Sequence, residues 1–178
     1  MSAAAHRGFT LIELLVAAAI SVILLLLAMP AFTGWVADSE IRNGTESIAT
    51  GIRYAQATAI SQNRNAQFVL AGGGWNVAMV DAPLVPLQSA TFGEGSQHVT
   101  FTAIDATANP ATTVAFSPLG QVIPNGTNLV RVDVTDPAVA GSRSLRILVG
   151  FLPVSGVFNG VKICDPKFAW PDPKGCPT

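Results

Sequence analysis

One run of residues limits what this chain can fold into more than any other feature. Between Arg7 and Asp38 there is a single charge, Glu13, and the 24 residues from Leu14 to Ala37 carry none. As a helix, that run spans about 36 Å, more than the roughly 30 Å hydrocarbon core of a bilayer. The stretch LLVAAAISVILLLLAM is apolar on every face, so it cannot be an amphipathic helix of a globular core. It meets lipid or other apolar helices. The rest of the composition fits one folded domain beyond it. The chain has 178 residues, 49% hydrophobic and only 12% charged, which excludes a disordered polymer.

Three readings of the apolar run compete, two from its hydropathy and the third implied by a family resemblance of Gly8 to Ala17. A secretory signal peptide has a core of about 7–15 residues and a small-residue cleavage site. The run exceeds that length, and Ala28-Met29-Pro30-Ala31 matches such a site poorly. A plain anchor, with Arg7 on the cytoplasmic side, fits the hydropathy but leaves Glu13 unexplained. A carboxylate this deep in an apolar segment costs about 2.5–3.5 kcal/mol, so it calls for a partner. The third reading supplies one. Cleavage after Gly8 would place a new ammonium at Phe9, four residues from Glu13. In a bundle of such helices, one subunit's amine could neutralise a neighbour's Glu13.

The string GFTLIELLVA, Gly8 to Ala17, resembles the processing site of type IV pilins and type II secretion pseudopilins. The resemblance implies that a prepilin peptidase cuts after Gly8 and methylates Phe9. It assigns Glu13 to filament assembly and Pro30 to loosening the helix. It also implies a bacterial inner-membrane protein with one span, its N-terminus cytoplasmic and its domain periplasmic. The implied partners are prepilin peptidase, inner-membrane lipid, and other pilins or pseudopilins.

Past Asp38 the pattern turns amphipathic. Ile41, Ile48, Ile52, Ala55 and Ala59 recur at spacings of seven, four, three and four, one stripe of a helix. The spacing predicts one helix from about Thr10 to about Gln62, kinked or locally broken near Pro30. From Ala66 the chain reads as strands. QFVL and WNVAMV form a hairpin turned at Gly72-Gly73-Gly74, followed by HVTFTA, TTVAF, LVRVDV and SLRILV. In LVRVDV, Val130, Val132 and Val134 share one face. Pro83, Pro86 and the other prolines mark loops and edges. The expected fold class is α+β, a long N-terminal helix packed on an antiparallel sheet. Its expected parts are a leader at 1–8, a transmembrane or filament-core half at 9–37, an amphipathic half at 38–65, and a sheet domain at 66–178.

Three further strings resemble the GspH/FimT branch of the pilin families. They are IRYAQATAISQNRNAQFVL at the helix end, VAFSPLGQV at 114–122, and VKICDP at 161–166. In the first, Gln56 and Thr58 stand where the branch usually has Arg and Glu. This branch includes minor pilins of type IV pili and a type II secretion pseudopilin, so the implied role is a structural subunit of a pilus. The alternative is a pseudopilin of a secretion machine.

Cys164 and Cys176 would close a 13-residue loop, and in an oxidising compartment they are expected to pair. A reactive thiol or a metal clip lacks supporting neighbours. His6 and His98 lie far apart in sequence, so no metal is expected. No cofactor-binding motif and no catalytic constellation is visible, and no enzymatic activity is expected. Charge is skewed along the exterior part. Residues 31–141 carry a net −4, while Arg143, Arg146, Lys162, Lys167 and Lys174 give residues 142–178 a net +3. A basic end with Phe168 and Trp170 between lysines could contact DNA phosphates and stack on single strands. Some minor pilins of this branch bind DNA through a C-terminal Gly-Arg-x-Arg motif. Here Asn159-Gly160-Val161-Lys162 stands in its place, with one Arg absent and the other a Lys, which lacks the bidentate fork.

Overall fold

The computed structural model describes residues 9–92, 95–96, 98–139, 141–150, 160–169 and 171–176. Among the described residues a single helix, α1 (Leu11–Gln62), is followed by nine strands. It begins where Thr10 accepts the Glu13 amide on its hydroxyl, satisfying one of the first-turn donors. It ends at Asn63, which takes the left-handed conformation at φ 49°. The helix is assigned without interruption through Pro30, so the expected break there does not occur.

The strands are β1 (Ala66–Ala71), β2 (Gly74–Met79), β3 (Ala82–Thr91), β4 (Thr100–Ile104), β5 (Thr113–Phe116), β6 (Arg131–Thr135), β7 (Leu145–Val149), β8 (Val161–Ala169) and β9 (Gly175–Cys176). They form two sheets, in the orders β3-β2-β1-β5 and β4-β6-β7-β8-β9. The pairing is antiparallel throughout except between β8 and β9, which run parallel. Where the sequence suggested one sheet there are two, which share the covered half of one helix. The four-stranded sheet covers the later turns of the helix and the other covers the earlier ones. A Cβ at Gly51 would lie 2.8 Å from both the Phe68 and the Trp75 rings, whereas Gly44 faces Phe101 of β4.

One core joins the helix to both sheets. Ile41, Ile48, Ile52, Ala55 and Ala59 are fully buried against Phe68, Val77, Val114, Phe116, Val132, Val134 and Ile147. The predicted stripe is therefore the buried face. Gly51 lets the sheet approach this closely, and Trp75 closes the contact by donating to Ser47 Oγ at 3.0 Å.

Candidate functional site

The first half of α1 lies open among the described residues. Every described side chain from Phe9 to Thr33 is exposed, including Ile12 at 70% and Leu27 at 72%. By length and composition this helix can cross a membrane. Glu13 sits in its first turn, three residues after the Thr10 cap. Thr-x-x-Glu is the spacing of a capping box, and it places an acid at the positive end of the helix dipole. That local role for Thr10 was readable in the sequence and complements a pairing role for Glu13. Of the expected processing residues, Phe9 is 83% exposed and Gly8 lies outside the described residues. Pro30 lies within the helix backbone.

At the other end of the chain, Cys164 and Cys176 are bonded, fixing β9 to β8. With Leu148 they form a small buried cluster on the outer face of the five-stranded sheet. This bond gathers part of the basic end, and ion pairs occupy two of its members. Arg146 Nε lies 2.5 Å from Asp133 Oδ1, and Arg143 Nη2 lies 3.5 Å from the buried Asp165 carboxylate. Arg143 also donates its amide to Asp38 Oδ1 at 2.9 Å, which fastens the start of β7 to the helix. Arg143 and Lys174 line a cleft of about 660 Å³ beside helix residues Asp38, Arg42 and Glu46. Arg146 and Lys162 stand on the outer face, in register with Cys164 and Leu148 respectively. Four of the five basic residues are thus divided between two faces. Lys167 and Phe168 are exposed on β8, while Asn159 and Trp170 lie outside the described residues. Among the described residues, no cluster of His, Cys, Asp and Glu is placed to hold a metal.

Two of the three branch-like strings meet in space. Gln56, near the helix end, donates its side-chain amide to the Gly120 carbonyl at 2.7 Å, in the turn of VAFSPLGQV. Gly120 adopts φ +72°, and a Cβ there would lie 2.7 Å from Ile60 Cδ1. A side chain at position 120 would therefore be strained by both backbone and packing. This lock ties the last turns of the helix to the sheet through two residues 64 positions apart, a contact that no local spacing announces.

A half-covered helix on antiparallel sheets, with an uncovered apolar start, defines the type IV pilin-like class. The model of the prokaryotic N-terminal methylation motif matches residues 4–29. The family model described as type II transport protein GspH matches residues 44–152, more than half of the chain. The chain belongs to the GspH family of pilin-like subunits. Among solved structures, the minor pseudopilin EpsH from the type 2 secretion system of Vibrio cholerae is 12% identical. It aligns over 71% of this chain and 98% of its own with a TM-score of 0.50. The type IV minor pilin FimU of Pseudomonas aeruginosa is 18% identical, over 68% of this chain and 94% of its own, at a TM-score of 0.46. Comparison with curated proteins finds no match.

Proposed function

We propose that the chain is a minor pilin-like structural subunit that joins or primes a type IV pilus. Prepilin peptidase cuts after Gly8, leaving residues 1–8 as the discarded leader and Phe9 as the methylated N-terminus. Residues 9–37 hold the protein in the inner membrane and later enter the filament core. Residues 38–65 and the sheets at 66–178 form the periplasmic domain, where the Cys164–Cys176 bond is at home. The observation that carries this reading is the uncovered apolar half of α1, opening with Glu13 beside its N-terminus. In a filament, the Phe9 amine of one subunit and the Glu13 carboxylate of another remove two unpaired charges from an apolar core. Pro30 lacks a backbone donor and would let the helix loosen between its two halves on assembly.

N-terminal mass spectrometry of the membrane-extracted protein tests the processing step. A methylated Phe9 terminus is expected. An intact Met1, or a start near Ala31 or Phe32, would overturn the reading. The second reading, a pseudopilin of a type II secretion machine, is favoured by the description of the family model that matches residues 44–152. Deleting the gene separates the two: loss of surface pili supports the first, and loss of secreted enzymes with pili intact supports the second. A DNA contact by the basic end would draw on Lys167 and Lys174 before Arg143 and Arg146, since both arginines face carboxylates.

A further inference from the structure

Where α1 leaves its uncovered half, the domain presents an apolar underside. Phe32, Val36 and Ala37 face Ala138 and Val139 across a groove of about 310 Å³. The latter two belong to the β6–β7 connection, residues 136–144, whose ionisable residues are Asp136 and Arg143 at its two ends. Asp136 also lines the groove, but it is only 6% exposed and its carboxylate accepts the Ala138 amide at 2.8 Å. The Ser142 hydroxyl donates to the Asp136 carbonyl at 3.0 Å, closing the connection on itself. Pro137 and Ala138 are left exposed at its tip. Just beyond, the Arg143 amide pins the chain to Asp38 of the helix. The connection is therefore built to hold an uncharged tip beside helix residues 32–38.

Helix length fixes the depth of that tip. About 20 residues of helix cross a hydrocarbon core, so a span that starts at Glu13 ends near Thr33. Phe32 and Trp35, 64% and 68% exposed with ring centroids 6.2 Å apart, fall at that boundary. Exposed aromatics of this kind are enriched where lipid meets water. Polarity along the groove follows the same axis. Phe32 lies at the membrane end, while Glu40 and His98, 3.3 Å apart, lie on the side away from it.

We propose that, before assembly, this groove takes an acyl chain of a bilayer phospholipid, with Pro137 and Ala138 resting in the headgroup layer. The domain then sits on the membrane surface and does not swing freely above it. The inference rests on the membrane-spanning reading of residues 9–37 and adds a lipid contact made by the sheet domain itself. Incorporation into a filament has to break that contact.

Because the native cysteines are bonded to each other, Ala138→Cys provides one thiol for an environment-sensitive fluorophore. The full-length protein is reconstituted into vesicles of phosphatidylcholine and phosphatidylglycerol, with or without bromine on the acyl chains. Leu25→Cys, within the span, and Ser61→Cys, in the last turn of α1, serve as references, and Pro137→Cys serves as a second probe. Quenching by brominated lipid at positions 25, 137 and 138, with none at 61, is the expected result. Quenching at 25 alone overturns the lipid contact and leaves the spanning reading intact. No quenching at 25 overturns both. If signals at 137 and 138 follow protein-to-lipid ratio and ignore bromine, a second copy of the chain fills the groove and the proposal fails.

Discussion

The two halves of α1 are parts of one unbroken helix, yet only one belongs to the domain. Leu24, Leu25 and Leu27 in the first half are at least 60% exposed, whereas Ile41, Ile48 and Ile52 in the second are fully buried. The more apolar half is the uncovered one. Periodicity decides this, not hydropathy. The second half places its apolar side chains on one stripe and sets Arg42, Glu46 and Arg53 off it, so one face can meet the sheets and the other water. The first half is apolar all round, so a sheet on one side would still leave the other side in water. Only an apolar surrounding satisfies it.

Removing the first half gives the largest effect. A chain beginning at Ser39 should lose membrane association completely while keeping its fold and remaining monomeric. Membrane fractionation, circular dichroism and sedimentation check this, and a disordered product would show that the uncovered half holds the domain together. Single core deletions sharpen the contrast. Ile52→Ala should destabilise the domain by about 2–5 kcal/mol in urea unfolding, through lost burial and the cavity left behind. Leu25→Ala should leave the urea midpoint unchanged, since that side chain is 67% exposed and lies outside the buried core.

Away from the helix, replacing Cys164 and Cys176 together with Ser should cost about 3 kcal/mol. The bond closes a short loop, and its loss frees the unfolded chain. Amide exchange should then show Gly175 and Cys176 opening before the rest of the sheet. The smallest effect is on acid stability. The Thr107 hydroxyl and the Thr107 and Asn109 amides hydrogen-bond the Asp105 carboxylate and hold its pKa below the usual aspartate value. The Arg64 guanidinium does the same for Asp81. A lowered folded pKa means that the unfolded chain binds protons first, so this stabilisation is present above about pH 4 and fades as pH falls through the lowered values. Asp105→Asn should flatten that acid-side slope in urea midpoints measured across the range.

Much of this was legible in the sequence because each element announced itself by a periodic pattern. The helix, its buried stripe, the β1–β2 hairpin and the valine face of β6 all follow from spacing. β3 did not, because it is an edge strand exposed almost throughout, with no buried face to impose alternation. Pro83 and Pro86 are tolerated there, and its register against β2 shifts at Val77 and Ala78. β8 was hidden for a related reason: VKICDPKFA contains Pro166 and loses its alternation beyond Asp165. The candidate sites divided in the same way. Glu13 and the cysteine pair are visible as residues. The pairing of Arg143 with Asp165 and of Arg146 with Asp133 depends on strand register, which composition does not carry. A net charge of +3 over the last residues therefore described a segment and not a patch.

In the proposed filament, the uncovered half of α1 is an assembly element whose Glu13 carboxylate answers a neighbour's amine. Glu13→Ala, expressed in place of the wild-type protein, tests it most directly. The amount in the membrane and the amount in sheared filaments are measured side by side. Full processing and normal membrane levels are expected, with the variant lost from the filament fraction. Wild-type amounts of the Glu13→Ala protein in sheared filaments would contradict it.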